Sequence, residues 1–315
     1  MNHQATPGQR IVVLGAAGFL GHAMTCDLAA QGHQVVAYWR RPDPLLSQLP
    51  NVESVIGDIR DTWILADALQ AADVVYHFAS ATHPSLFFRN PAAEYWEALQ
   101  PLMVLMETAA RARVRRIVFP SSGGTIYSDR EAARSEESKV DPRSPYAIFK
   151  LTAEQLLLHA ARQGDFAVDV YRVGNPYGPG QRARPGQGVL PHWLDAIQQH
   201  QPIRIFGDGT AERDYVYIDD VCQLMRHACR DETNSDVFNL GTGIATPLNE
   251  LLRLLEELLG RQLETNYMAN STASLQTISL KPNKLLKRFP EFQFTPLRAG
   301  LIRTLTSYGL LSRCP

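Results

Sequence analysis

The chain has 315 residues, of which 45% are hydrophobic and 20% charged, with a formal net charge of −1. This balance excludes a disordered polyelectrolyte, and the length fits one large α/β domain or one such domain with a smaller lobe. Near-neutral charge offers no overall basic surface to nucleic acid or an anionic membrane, and no apolar run approaches the roughly 20 residues that span a bilayer. The cysteines Cys26, Cys222, Cys229 and Cys314 form no C-x-x-C pair. They read as free thiols in a reducing cytosol. The stretch MNHQATPGQR lacks the apolar core of a signal peptide, so the cytoplasm is the expected compartment.

The first half alternates short β-rich runs with helical stretches. RIVVLGA (10–16) predicts a buried strand, with a helix following to about Ala30. QVVAYW (34–39), VESVIGDI (52–59) and DVVYHFAS (73–80) predict three more strands. A helical pattern covers about 92–113, and RRIVFPSS (115–122) is a fifth strand. YAIFKLTAEQLLLHAARQG (146–164) is a helix stopped by Gly164, and VDVYRVGN (168–175) is a sixth strand. Continuous apolar strands separated by helices predict a doubly wound parallel sheet of Rossmann type, covered on both faces.

After Asn175 the texture changes. NPYGPGQRARPGQG is loop, dense in Pro and Gly. A helix near 189–200 follows, then IRIFGDG, DYVYIDDV, a helix from about 219 and the short strand VFNLGTG (237–243). The tail from about 246 mixes helix with irregular chain. The expected division is a dinucleotide-type domain over 1–175 with about 205–245, and a smaller mixed α/β lobe over 176–204 and 246–315.

GAAGFLG places Gly15, Gly18 and Gly21 between the first strand and the helix after it. Glycines there allow a tight turn and close approach of backbone to a pyrophosphate, which the helix N-terminus attracts. The alternative is a small-residue contact between helix and strand. A dinucleotide fold usually carries an acidic residue after the second strand for the ribose hydroxyls. Here that place reads Tyr38, Trp39, Arg40, Arg41. An arginine there can hold a 2′-phosphate or stack on adenine, which points towards NADP, or it can be a plain surface charge. Asp58, after the third strand, suits the adenine edge or caps a helix.

YAIFK sets Tyr146 and Lys150 four residues apart, on one face at the start of a helix. A lysine ammonium beside a phenol favours phenolate, which makes Tyr146 an acid/base candidate.

These motifs resemble the extended short-chain dehydrogenase/reductases of the NAD-dependent epimerase/dehydratase family, and most closely the UDP-hexose 4-epimerases. The resemblance runs through GAAGFLG, GDIRD, HFAS, SSGGTIY, SPYAIFK, RVGNPYGPGQ, IFGDGTAERDYVYIDDV and FNLGTG. It implies tightly bound NAD(P) and extends the cofactor contacts to Phe19, Leu20, Ile59, Phe78, Ala79, Ser80, Ser121 and Val173. It implies a UDP-linked sugar held by Asn175, Val189, Leu190 and Arg213. The alternative for Arg213 is pairing with Asp214 or Asp208. It also implies a homodimer through the helices at 92–113 and 146–163.

The departures from the family are specific. Ala98 stands where the family has an asparagine. MANSTASLQTIS has no arginine where the family has R-x-x-D, so diphosphate binding leans on Arg213, or on Arg182 or Arg184. Gly124 and Thr125 replace the Asp-Glu pair of the dehydratases, which counts against elimination. The family's Ser/Thr falls on Gly123, so the hydroxyl role is expected to move to Thr125, with Ser122 next. Three functions follow: a nucleotide-sugar 4-epimerase working through a 4-keto sugar, an NADPH-dependent reductase of a 4-keto nucleotide-sugar, and a non-catalytic dinucleotide-binding regulator.

Overall fold

The computed structural model describes residues 8–79, 90–128, 133–184, 188–230, 234–269, 277 and 279–312. In chain order the elements begin β1 (Arg10–Leu14), α1 (Phe19–Ala30), β2 (Gln34–Trp39), β3 (Val52–Ile56), α2 (Thr62–Ala68) and β4 (Val74–His77). They continue with α3 (Pro91–Arg111), β5 (Arg116–Ser122), α4 (Pro145–Gln163), β6 (Ala167–Val173), β7 (Asn175–Tyr177) and α5 (Val189–Gln198). Next come β8 (Ile203–Phe206), β9 (Glu212–Tyr217), α6 (Ile218–Met225), β10 (Asp236–Leu240) and β11 (Ala245–Pro247). The last are α7 (Leu248–Leu259), β12 (Thr265–Met268), α8 (Asn283–Arg288) and α9 (Leu297–Ser307).

Among the described residues the largest sheet has seven strands in the order β10-β6-β5-β4-β1-β2-β3. The β1–β2, β1–β4, β2–β3 and β4–β5 pairs are parallel. The apolar runs are buried as a two-faced sheet requires: β2 is buried at every position but its first, and β6 throughout. VESVI forms the edge strand β3, whose positions are partly or fully exposed. Its Glu53 accepts from Arg10 Nη1 at 2.9 Å, a charged side chain of the kind that blunts an edge.

Two compact units divide the chain. The first comprises Met1–Ser121, Arg143–Tyr171 and Cys222–Phe238. Val12, Leu14, Val36, Val75, Ile117 and Phe119 from its strands meet Leu102 and Leu105 of α3 and Phe149, Ala153 and Leu157 of α4 in its core. α4 starts where Ser144 Oγ accepts the Ala147 N–H at 3.1 Å and Pro145 opens the first turn. It stops at Gly164, whose φ of +90° is the left-handed cap that favours glycine.

The second unit comprises Ser122–Pro142, Arg172–Val221 and Asn239–Pro315. Its sheets are β11-β9-β7 and β12-β8. β7 and β9 are parallel, β9 and β11 antiparallel, and β8 and β12 parallel. The fully buried Asp214 carboxylate accepts from Thr242 N and Oγ1 at 2.7 Å each, and from Gly243 N and Leu280 N at 3.0 Å each. Four donors on one carboxylate tie β9 to two distant segments and satisfy a charge that burial alone would disfavour.

This division differs from the expected one. Of the stretch 205–245, only Cys222–Phe238 lies in the first unit. β8 and β9 instead find partners in β12, β7 and β11, within the second. Ser122–Pro142 also belongs to the second unit, although it interrupts the first unit's stretch of chain.

Candidate active site

In the first unit the glycine turn is a tight backbone cradle. Gly15 N–H and Ala16 N–H donate to Tyr38 O at 2.9 and 3.3 Å, which fastens the turn to the end of β2. Gly15 has φ +84°, and a Cβ there would stand 2.6 Å from Ala79 N and 2.7 Å from Ala79 Cα. A Cβ on Gly21 would stand 2.2 Å from Gly15 O, and one on Gly18 3.2 Å from the same atom. Gly18 caps α1 without a side-chain hydrogen bond, so no side chain covers the N–H groups that open the helix at Phe19 and Leu20. Phe78 N–H donates to Leu14 O at 2.9 Å and sets Phe78 and Ala79 against the turn. Ser80 lies outside the described residues.

At the far ends of β2 and β3, Tyr38 and Trp39 are buried, while Arg40 and Arg41 are exposed. Tyr38 Oη donates to Asp58 O at 2.8 Å and Trp39 Nε1 to Ser54 Oγ at 2.9 Å. The Asp58 carboxylate does not cap α2. Asp61 does, accepting from Trp63 N and Ile64 N at 3.1 Å each, because only Asp61 directly precedes the first turn. Asp58 instead accepts from Arg60 Nε and Nη2 at 2.9 Å each and from Arg60 N at 3.0 Å. Those bonds hold its carboxyl down at about 2. Ile59 beside it is buried in the core.

α4 presents Tyr146 and Lys150 one turn apart. Lys150 Nζ is buried, donates to Pro120 O at 2.9 Å and lies 4.7 Å from the Phe119 ring centroid. Burial lowers its ammonium to about 8, with Glu154 partly opposing. It lies 5.8 Å from the Tyr146 ring centroid. The sequence expectation that lysine lowers the phenol is corrected here: burial raises Tyr146 to about 12. Ser121 Oγ and His77 Nδ1 are buried with no hydrogen-bond partner among the described residues. Burial, then the charge of Lys150, lowers His77 to about 3. Backbone cradle, bare helix start and orphaned polar atoms together fit a bound dinucleotide.

In the second unit, the stretch SGGTIY (122–127) turns so that Thr125 Oγ1 donates to Ser122 Oγ at 2.9 Å. The two hydroxyls read as alternatives in the sequence are thus one bonded pair. A Cβ on Gly123 would stand 2.3 Å from Leu280 Cδ1 and 3.0 Å from Arg172 O, so Leu280 fills the space a side chain would need. Leu280 was invisible as a site neighbour in the sequence, since the contact joins positions far apart in the chain. Val173, expected at the cofactor, is buried, and its carbonyl accepts from Gly123 N at 2.9 Å. Tyr127 Oη donates to Asn239 Oδ1 at 2.6 Å and accepts from Arg172 Nη1 at 2.9 Å, anchoring the end of the turn.

On the same unit Asn175 opens β7, in register with Tyr215 of β9. Arg213, on β9, is partly buried and donates to Glu212 O at 2.7 Å, and burial lowers its guanidinium. The Asp214 carboxylate is engaged as above, and Asp208 accepts from Thr210 N and Oγ1 at 3.0 and 2.6 Å. Val189 and Leu190 open α5 behind Gly188, which provides no side-chain cap.

The family model described as NAD dependent epimerase/dehydratase family matches residues 11–241. The chain is 32% identical over 254 residues to the UDP-glucose 4-epimerase of Mycolicibacterium smegmatis, covering 77% of this chain and 80% of that one. It is 26% identical over 262 residues to the dTDP-4-dehydro-6-deoxyglucose reductase of Escherichia coli, covering 80% and 82%. The crystal structure of the Thermotoga maritima UDP-glucose 4-epimerase with UDP-glucose superimposes with a TM-score of 0.88 at 28% identity, covering 96% of this chain and 99% of that one. With its parallel Rossmann-type sheet and glycine cradle, the chain belongs to the NAD-dependent epimerase/dehydratase family.

Proposed function

We propose that this chain is a nucleotide-sugar 4-epimerase that takes a UDP-hexose through a transient 4-keto sugar. The observation that carries the reading is Tyr146 and Lys150 one turn apart on α4, in the unit that also holds the glycine cradle. The similarity to UDP-glucose 4-epimerases supports it.

In this reading the first unit binds the dinucleotide through Gly15, Gly18, Phe19, Leu20, Gly21, Asp58, Ile59, Phe78, Ala79 and Ser121. The bound nicotinamide supplies the hydride acceptor and donor. Tyr146 Oη takes the proton of the sugar 4-hydroxyl and gives it back. To take that proton Tyr146 must be phenolate, and a cation against the phenol shifts it that way. Lys150 is the cation that α4 provides. The Ser122–Thr125 hydroxyl pair is the candidate proton-relaying partner of the reaction. Arg213 and Asn175 hold the diphosphate, by charge-assisted and amide hydrogen bonds. The backbone of Val189 and Leu190 approaches the nucleotide-sugar.

A second reading, an NADPH-dependent 4-keto sugar reductase, is favoured by Arg40 and Arg41 and by the likeness to the Escherichia coli reductase. The experiment is incubation of the purified chain with UDP-glucose, with product analysis and absorbance at the nicotinamide band. Interconversion of UDP-glucose and UDP-galactose without net cofactor consumption supports the epimerase. Stoichiometric loss of NADPH with a 4-keto nucleotide-sugar selects the reductase. Loss of either activity in Tyr146→Phe ties it to this site, and no turnover of either kind leaves the dinucleotide-binding regulator.

Exposed apolar side chains on α3 and α4 motivate the homodimer: Trp96 and Met103 are 68% and 52% exposed, and Ile148 is 43% exposed. No helix among the described residues is long and apolar enough to cross a membrane, and we place the enzyme in the cytoplasm.

A further inference from the structure

One turn beyond the Tyr146–Lys150 pair, α4 carries a third ionisable side chain that the mechanism above does not use. Tyr146, Lys150 and Glu154 follow one another at four-residue intervals, which sets them in one row on one face of the helix. Helix side chains lean towards the N-terminus, so Glu154 leans towards Lys150 as Lys150 leans towards Tyr146. Glutamate is rarely buried completely unless it has a charge partner, and Glu154 is 0% exposed. Lys150 is 8% exposed. A lone charge at that depth is costly, and two of opposite sign one turn apart offset each other.

The elements packed around Lys150 bring other titratable groups, and burial favours the uncharged form of each. On β4, His77 lies beside Phe119 with ring centroids 6.0 Å apart and is lowered to about 3. On α4, Tyr146 is raised to about 12. α3 meets α4 with Leu102 and Leu105, and with Tyr95, whose phenol burial also raises. On β5, Lys150 Nζ meets the Pro120 carbonyl at 2.9 Å and the Phe119 ring at 4.7 Å. On β6, Asp169 is paired with Arg116 at 2.8 Å. Burial brings Lys150 down to about 8, and Glu154 is the charge that opposes it.

We propose that Glu154 is a positioning residue for the reaction: its buried carboxylate keeps Lys150 an ammonium, which lets Lys150 in turn favour the phenolate of Tyr146. This rests on the Tyr146–Lys150 reading of the site and extends it by one helical turn. Glu154 acts through Lys150 and not on the reacting atoms. With Glu154 neutral, burial acts on Lys150 unopposed, and the lysine gives up its proton in the range where Tyr146 needs a cation.

The test reads Lys150 directly. The chain has five lysines, Lys139, Lys150, Lys281, Lys284 and Lys287, so labelling lysine Cε with carbon-13 gives a simple spectrum, in which Lys150→Met assigns the signal at issue. In the full wild-type chain that signal is expected to titrate near 8. In Glu154→Gln it should titrate about one pH unit lower or more, and in Glu154→Asp, which keeps the charge, between the two. A Lys150 titration unmoved by Glu154→Gln overturns the proposal. If Glu154→Gln alone does not fold, adding Lys150→Met should restore folding, because no lone buried charge is left. A double variant that stays unfolded while Lys150→Met folds overturns the proposal as well. In turnover of the nucleotide-sugar, the basic limb of kcat against pH should move down in Glu154→Gln by the same amount as the titration, with KM unchanged. A limb that stays in place overturns the role in the reaction. Absence of turnover in wild type overturns the epimerase reading, and the lysine titration, which needs no substrate, still decides the coupling.

Discussion

Gly123→Ser restores a hydroxyl at the position where the family usually carries one, and Leu280 decides what that costs. The new Cβ would stand 2.3 Å from Leu280 Cδ1 and 3.0 Å from Arg172 O. Leu280 is fully buried, and its N–H is tied to Asp214 Oδ2 at 3.0 Å. Its methyls have no route to solvent, so the clash is relieved by strain in the second unit, at about 1–3 kcal/mol for an overpacked core. Leu280→Ala alone empties the same space and costs about 2–5 kcal/mol. In Gly123→Ser with Leu280→Ala, the atom that serine strikes is gone and serine fills part of the cavity. The double variant should then cost less than the sum of the singles by about 1–3 kcal/mol. Equilibrium urea unfolding of wild type, both singles and the double closes the cycle. A double variant equal to the sum would refute Leu280 as the reason for glycine at 123.

Three further outcomes follow from the same geometry. His77 sits near 3 in the folded chain against an ordinary 6.5. Between those values the unfolded chain binds a proton the folded chain refuses, so this contribution is complete above 6.5 and is lost as pH falls. His77→Gln should reduce the slope of unfolding free energy between pH 4 and 6 by about 1.4 kcal/mol per pH unit, and an unchanged slope would show that His77 titrates normally. Tyr127→Phe removes a buried hydroxyl bonded to Asn239 and Arg172 and should destabilise by about 1–3 kcal/mol in chemical denaturation. Thr125→Val should lower turnover by roughly tenfold to hundredfold, and Ser121→Ala far less; equal small effects would mean Tyr146 acts without this hydroxyl pair.

The parts of the molecule written in local sequence were readable from it. Strands β1, β2 and β6 are apolar runs, and α4 has its start at Ser144-Pro145 and its stop at Gly164. The glycine turn was readable because it is a backbone device: spacing alone tells where a side chain cannot stand. The role of Asp58 was harder, because GDIRD offers two aspartates and only the helix start shows which one caps it. The domain boundaries needed the tertiary pairing. Whether β9 joins the large sheet or pairs with β7 and β11 is a long-range choice that its local sequence does not encode. The pKa of Tyr146 was misjudged for a related reason. The Y-x-x-x-K spacing reports that a cation is near, but the size of desolvation depends on what packs around the phenol.

The hydroxyl stretch shows how packing turns a missing residue into a directed pair. A side chain at Gly123 would meet Leu280, so the hydroxyls of this stretch stand only at neighbouring positions. The neighbours are not independent. Thr125 Oγ1 gives its hydrogen to Ser122 Oγ, which leaves Ser122 with its own O–H to donate and Thr125 with lone pairs to accept. A bond of this kind fixes both rotors and polarises the Ser122 hydroxyl, so the pair behaves as one donor–acceptor unit instead of two interchangeable hydroxyls. It follows that Ser122→Ala and Thr125→Val should each disable the unit, and that a double variant should lose little more than either single. Ser121, whose Oγ lies outside the pair, should add its effect independently.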